Sequence, residues 1–173
     1  MRLFTAVNFH EEVKKELKKI QEKLIGSSAQ GRFPEEDNFH LTLVFIGETG
    51  EERIGQIIAE IDKVRARPFT LEFNGVGKFG DTWWVGIKNG EALDGLYNEL
   101  YQGLSGALFK LENRPYKPHI TLGREVKLLP KSDLEEIKRY PELRTEVKEI
   151  YLMNSARQDN NLKYIPIYCK KLR

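Results

Sequence analysis

The chain has 173 residues, 40% of them apolar, with 28 Lys and Arg against 26 Asp and Glu for a formal net charge of +2. That size and apolar content suit one domain over residues 1–173 with a real core, and the near-balance of charge argues against a strongly basic nucleic-acid coat while leaving room for a local basic cleft. The single cysteine, Cys169, excludes an intrachain disulfide and a cysteine zinc site; no stretch resembles a signal peptide or approaches the roughly 20 apolar residues that span a bilayer, so a soluble cytoplasmic chain is expected.

The first element predicted is a strand over 3–9, apolar and β-rich. His10-Glu11-Glu12 then opens a helix whose apolar positions Val13, Leu17, Ile20 and Leu24 share one face. Gly26-Ser27-Ser28 ends it. A strand over 39–46 follows, then a helix over 51–64 with Ile54, Ile57, Ile58 and Ile61 on one side, stopped by Pro68. Strands over 69–77 and 82–88 are joined by Lys78-Phe79-Gly80-Asp81 and read as a hairpin. A third helix covers 92–109, with Leu93, Leu96, Leu100, Leu104 and Leu108 in step. Pro118 precedes a strand over 119–124. A short helix is predicted over 132–140, with Ser132 as its N-cap and Glu135 in the capping-box position. Two strands close the chain, 145–154 and 162–172, with Asp159-Asn160-Asn161 as the turn. Helices and strands alternate, yet hairpins also occur, so the expected class is α+β with mixed sheets. The order also reads as a loose duplication, because each half sets a helix before and after one strand that carries a histidine.

Those two strands hold the chemistry. His40-Leu41-Thr42-Leu43 and His119-Ile120-Thr121-Leu122 repeat one pattern, and the chain has only three histidines. With seven Thr and 20 Leu in the chain, Thr at +2 and Leu at +3 follow a given histidine by chance about once in two hundred, which is the false-positive rate a short motif must beat. A lone His-x-Thr in a strand is usually a half-buried polar pair without a role; two copies at matching places reverse those odds. His10 is the internal control, with neither Thr nor Leu at those offsets, and reads as a solvated or capping residue.

In a strand, residues i and i+2 share a face. His40 therefore projects with Thr42, while Phe39, Leu41, Leu43 and Phe45 are expected to form one apolar face. His119 projects with Thr121, backed by Ile120 and Leu122. A neutral imidazole can take a proton from water and an imidazolium can give one to a leaving oxygen. One of each, on opposite sides of a phosphorus, allows in-line displacement without a metal. The hydroxyls of Thr42 and Thr121 can donate to the nonbridging oxygens.

The segments Arg2-Leu3-Phe4-Thr5-Ala6-Val7, Asn38-Phe39-His40-Leu41-Thr42-Leu43, Arg114-Pro115-Tyr116-Lys117-Pro118-His119-Ile120-Thr121-Leu122-Gly123-Arg124 and Tyr151-Leu152-Met153-Asn154-Ser155 carry a resemblance to the 2H phosphoesterases. Within them the chain is similar to the RNA 2′,3′-cyclic phosphodiesterases first described as bacterial and archaeal 2′-5′ RNA ligases. The resemblance runs over nearly the whole chain. It implies a bilobal α+β fold, two pseudo-symmetric lobes with mixed or antiparallel sheets flanked by helices around a central cleft. It implies hydrolysis of a 2′,3′-cyclic phosphate RNA end to a 2′-phosphate, and with it reversible 2′-5′ RNA ligation. By motif position His40 looks like the proton donor to the leaving 3′ oxygen and His119 like the base for water. Arg124 matches a phosphate-contacting basic residue. Strict alternation points Arg124 away from His119, and Gly123 offers a bulge that would redirect it.

Arg32 and Phe33 precede the first motif and could approach a base or a phosphate, while Lys117 and Arg114 either make the cleft mouth basic or form a charged loop with no ligand. Phe79, Trp83 and Trp84 read first as packing residues, with one tryptophan facing the core and the other a cleft or solvent. No cofactor and no metal is implied, since two histidines without a carboxylate cluster make a poor ligand set. The expected partners are RNA with 2′,3′-cyclic phosphate ends or a small cyclic nucleotide, acted on by a monomer, with no membrane. Two other readings share the residues: a phosphodiesterase for a small cyclic nucleotide, and a nucleotide-binding module that has lost turnover.

Overall fold

A computed structural model describes residues 1–173 apart from Asn89, Pro141 and Asn160. Its elements run β1 (Arg2–Asn8), α1 (Glu11–Gly26), β2 (Ser28–Arg32), β3 (His40–Glu48), α2 (Ile54–Lys63), β4 (Phe69–Phe79), β5 (Thr82–Ile87), α3 (Glu91–Gly106), β6 (His119–Leu128), α4 (Leu134–Lys138), β7 (Arg144–Val147), β8 (Glu149–Gln158) and β9 (Asn161–Lys171). The strands form two sheets, one in the order β3-β1-β8-β9 and one in the order β2-β6-β5-β4-β7. Among the described residues every strand pair is antiparallel, so the mixed sheets expected from the alternation of helices and strands are not found: the strands pair through hairpins and antiparallel crossings instead. The expected α+β class is observed, and the two halves are related as foreseen: β3 carries the first motif in one sheet and β6 the second in the other.

The apolar face of α1 explains why that helix forms where it does. Leu17, Ile20 and Leu24 are 0–2% exposed, and full burial of each such side chain stabilises the fold by about 1.5–3 kcal/mol. Most of the polar remainder, rich in Lys and Glu, faces water; Lys14 and Gln21 are buried. Ile57 and Ile61 of α2, and Leu93, Leu96, Leu100 and Leu104 of α3, do the same for their helices. Inward residues of both sheets, among them Leu41, Leu71, Val85, Ile120, Leu122 and Leu152, join one continuous apolar core. The β4–β5 hairpin closes through Gly80 and Asp81, with Phe79 opposite Thr82. Gly80 adopts φ +56°, a left-handed conformation that glycine takes without a steric penalty.

Several expectations differ from the fold. Ser28–Arg32, for which the sequence predicts no element, is an edge strand held by pairing with β6 rather than by apolar alternation. The strand expected over 145–154 breaks at Lys148 into β7, which pairs with β4, and β8, which pairs with β1 and β9. The chain thus passes between the sheets there. Residues 51–53 of the second helix are a 3-10 turn. The N-cap of α4 is Asp133 rather than Ser132: its Oδ1 accepts from the backbone N–H of Glu135 and Glu136, at 3.0 and 3.1 Å. Asn160, in the expected turn Asp159-Asn160-Asn161, lies outside the described residues.

Candidate active site

The two motif strands carry the same irregularity. On β3, Thr42 pairs with Ala6 and Val44 with Thr5, so Leu43 is an extra residue against β1. On β6, Thr121 pairs with Trp84 and Gly123 with Trp83, so Leu122 is an extra residue against β5. Each motif is therefore followed by a β-bulge at its final leucine. A bulge reverses the alternation beyond it. Phe45 consequently leaves the apolar face on which strict alternation puts it and is 41% exposed, against 3% for Leu43. Arg124 occupies the equivalent place on β6 and turns to the face of His119 and Thr121. The kink expected at Gly123 is thus present, one residue earlier, at Leu122.

Gly123 is needed for that turn. A Cβ added there would lie 2.8 Å from Val126 Cγ2 and 2.9 Å from the Phe33 ring. Phe33 is therefore part of the packing beneath the bulge. Its neighbour Arg32 pairs with Glu125 at 2.5 Å, both side chains exposed.

The imidazoles are held alike. His40 Nδ1 is 2.7 Å from the carbonyl of Asn38, and His119 Nδ1 is 2.7 Å from the carbonyl of Lys117. In both cases the partner lies two residues earlier. A carbonyl only accepts, so Nδ1 carries the proton in each ring and Nε2 is the nitrogen left for chemistry. His40 Nε2 lies 3.0 Å from Thr42 Oγ1, where the hydroxyl donates to the neutral ring. Asn38 is itself buried and fixed to β9: its Nδ2 donates to Leu162 O at 2.8 Å and its Oδ1 accepts from the Tyr164 N–H at 3.2 Å.

Aromatic rings wall both imidazoles. Tyr164 meets His40 edge-on with centroids 4.7 Å apart, and Phe4 lies 5.0 Å away on another side. Phe79 meets His119 edge-on at 5.4 Å and Trp84 lies at 6.4 Å. Trp83 is buried in the core while its neighbour Trp84 shares the face of Thr121, the division expected of adjacent strand residues. Phe79 is 42% exposed and lies tilted against Trp84 with centroids 4.9 Å apart, with Lys117 Nζ 5.6 Å from its own centroid. Phe79 and Lys117 are thus brought to the second histidine.

Burial sets the proton affinities. Desolvation lowers His40 from its ordinary 6.5 to about 4, the Asn38 carbonyl opposes that shift, and the charges of Arg124 and His119 add to it. Desolvation also lowers His119, opposed by the Lys117 carbonyl and helped by Arg124 and Arg114. Arg124 therefore lies near enough to act on both rings, and His119 near enough to act on His40. The two strands are tied directly as well: the Tyr116 hydroxyl, just ahead of the second motif, donates to the Thr42 carbonyl of the first at 3.1 Å. Tyr116 is stacked on Tyr97 of α3 with centroids 4.1 Å apart. His10 is exposed at the N-cap of α1, where its carbonyl accepts from the Lys14 N–H at 3.1 Å but its side chain makes no capping bond, and it takes no part in the site.

Sequence patterning missed three contributors. Asn38, Tyr116 and Tyr164 act through a carbonyl, a hydroxyl and a ring edge. Asn38 and Tyr116 had a signal in their places within Asn38-Phe39-His40-Leu41-Thr42-Leu43 and Arg114-Pro115-Tyr116-Lys117-Pro118, and Tyr164 had none. Among the described residues, no three His, Cys, Asp or Glu side chains gather as a metal site, and no helix is long and apolar enough to cross a membrane.

Comparison with known proteins agrees with this construction. Residues 9–159 match the profile of the 2′-5′ RNA ligase superfamily. RNA 2′,3′-cyclic phosphodiesterases are similar in sequence: that of Thermotoga maritima is 39% identical over 137 residues, covering 75% of this chain and 72% of its own. That of Archaeoglobus fulgidus is 35% identical over 129 residues, 72% of each chain. In three dimensions the fold superposes on TT0787 of Thermus thermophilus with a TM-score of 0.87, at 26% identity over 100% of this chain and 98% of the other. It superposes on E. coli LigT complexed with 3′-AMP with a TM-score of 0.84, at 27% identity over 99% and 97%. Two bulged His-x-Thr strands on paired antiparallel sheets, the profile match and these relatives together place the chain in the 2′-5′ RNA ligase superfamily.

Proposed function

We propose that the chain, acting as one domain, opens 2′,3′-cyclic phosphate ends of RNA to 2′-phosphates by acid–base catalysis between His40 and His119, without a metal ion. One observation carries the reading. Both imidazoles are locked by the same bond, Nδ1–H to the carbonyl two residues back, which leaves each Nε2 for chemistry, and the Arg124 charge acts on both rings. A base for water and an acid for a sugar oxygen need that preorganisation, and a merely structural pair does not.

In this reading the phosphodiester anion lies between the rings. Thr42, Thr121 and Arg124 hold its nonbridging oxygens, and the Thr42 hydroxyl turns from Nε2 of His40 to phosphate. His119 Nε2 removes a proton from water as the water oxygen attacks phosphorus. The bond to the 3′ oxygen breaks in line, and that oxygen takes the Nε2 proton of His40. The products are a 2′-phosphate and a 3′-hydroxyl, with His119 protonated and His40 neutral. Proton exchange with solvent resets both, and the same steps with a 5′-hydroxyl in place of water join a 2′-5′ linkage.

Burial and the Arg124 charge hold both imidazoles toward the neutral form, which suits His119 as base and works against His40 as acid. The arriving anion resolves the conflict, because its negative charge between the rings opposes both desolvation and the Arg124 charge. The choice of His40 as donor follows the motif order of the family. The test is an oligoribonucleotide ending in a 2′,3′-cyclic phosphate, incubated with EDTA. Conversion to the 2′-phosphate supports the reading. Formation of the 3′-phosphate, or activity lost to the chelator and restored by a divalent ion, overturns it.

A further inference from the structure

The ladder between β2 and β6 loses its donors where the site begins. Arg32 pairs with Arg124, and the same antiparallel register carried two residues further sets Pro34 beside Leu122. Proline has no N–H to give. Leu122 is the bulge residue, without a partner on β5. Two carbonyls are left with no strand donor, and buried carbonyls need one.

The Gln21 side chain of α1 supplies it. Gln21 Nε2 donates to Pro34 O and to Leu122 O, both at 2.9 Å. Its Oε1 accepts from Lys18 Nζ at 2.8 Å, so the orientation of the amide is set at both ends. Gln21 is 0% exposed and lies on the face that buries Leu17, Ile20 and Leu24. The amide is explained by the two carbonyls rather than by the core. Both carbonyls sit on segments that end in the site. Leu122 stands between Thr121 and Arg124, and Pro34 leads to Asn38, whose carbonyl fixes His40.

We propose that Gln21 is a positioning residue: its carboxamide replaces the ladder donors that Pro34 and the Leu122 bulge remove, and so keeps Arg124 on the face shared by His40 and His119. The proposal rests on the reading of that face as the active site. The other bulge is stitched by a different group, the buried Thr5, whose Oγ1 accepts from the Val44 N–H at 3.1 Å.

The test compares Gln21→Met, which keeps volume and removes the donors, with Arg124→Ala and with the double variant. Titration of the imidazoles by NMR needs no substrate. Arg124→Ala should raise the midpoints of His40 and His119, and Gln21→Met should move both in the same direction, with no further change in the double variant and none at the exposed His10. On the cyclic phosphate substrate, Gln21→Met should lower kcat/KM about tenfold or more in the Arg124 background and less than about twofold once Arg124 is alanine. Imidazoles that titrate as in wild type when Gln21 is replaced, while Arg124→Ala moves them, would overturn the proposal. So would an equal activity loss in both backgrounds, the mark of a purely structural residue. Should Gln21→Met not fold, Gln21→His restores one N–H at similar reach and the same two measurements decide. A wild-type chain inactive on cyclic phosphate would sink the catalytic reading, while the titrations still judge Gln21.

Discussion

Replacing His40 by Gln should change how stability depends on pH, by an amount the structure supplies. The unfolded chain protonates this imidazole near 6.5, the folded chain near 4, because burial opposes the charged ring. Between those values the unfolded state binds a proton that the native state does not. Stability is therefore complete above about pH 6.5 and falls as the pH drops toward 4. Each pH unit in that window is worth about 1.4 kcal/mol. The whole window amounts to roughly 3 kcal/mol, a large share of the 5–15 kcal/mol that holds a typical domain together. His119 adds a loss of the same sign. The measurement is urea unfolding of wild type and His40→Gln at about pH 7 and about pH 4.5. Carboxylates titrate in both proteins and cancel in the comparison. Wild type should lose roughly 2–3 kcal/mol more than His40→Gln over that interval. Parallel losses in the two proteins would refute the assignment of a desolvated, neutral His40. Inorganic phosphate, bound between the rings, should shrink the wild-type loss.

Two further outcomes follow from the same geometry. Thr42→Val and Thr121→Val remove the hydroxyls without changing side-chain shape, and each should cost about 1–3 kcal/mol of transition-state stabilisation in kcat/KM with the fold kept; wild-type kinetics in both would make the threonines structural. Gly123→Ala should lower stability by about 1–3 kcal/mol, because the new methyl meets Val126 and Phe33 inside contact distance, and thermal unfolding of that variant alone checks it.

The sequence made the motif strands legible because alternation needs only local information. His40 with Thr42, and His119 with Thr121, share a face by the two-residue period of any strand, and Leu41, Ile120 and Leu122 had to turn the other way. The bulges were not legible. His-x-Thr-Leu reads as a straight strand, and only pairing with Ala6 and Thr5, or with Trp84 and Trp83, shows that the fourth residue is extra. Phe45 was misplaced for that reason, and the direction of Arg124 stayed open. Ser28–Arg32 is short and without apolar alternation, so nothing in its own sequence marks the strand that β6 imposes on it. The split at Lys148 is likewise a matter of which sheet each half joins. Gln21 left a trace, a polar residue at the four-residue spacing from Leu17 on an apolar helix face, but its two carbonyl partners lie 13 and 101 residues away. Long-range partners of that kind are beyond what a periodic pattern encodes.

The central claim, that both imidazoles act on one phosphorus as acid and base, is tested most directly by the kinetics of His40→Ala and His119→Ala on two substrates. One is an RNA end with a 2′,3′-cyclic phosphate, whose sugar alkoxide needs a proton to leave. The other is a nucleoside p-nitrophenyl phosphodiester, whose leaving group departs unaided. Each variant should lose roughly 10²–10⁴-fold on the cyclic phosphate, the usual span for general acid–base catalysis. On the p-nitrophenyl ester His40→Ala should recover much of its loss and His119→Ala should not, since water still needs its base. Rescue of His119→Ala alone would exchange the two roles, and near-wild-type turnover of the cyclic phosphate by either variant would contradict the account.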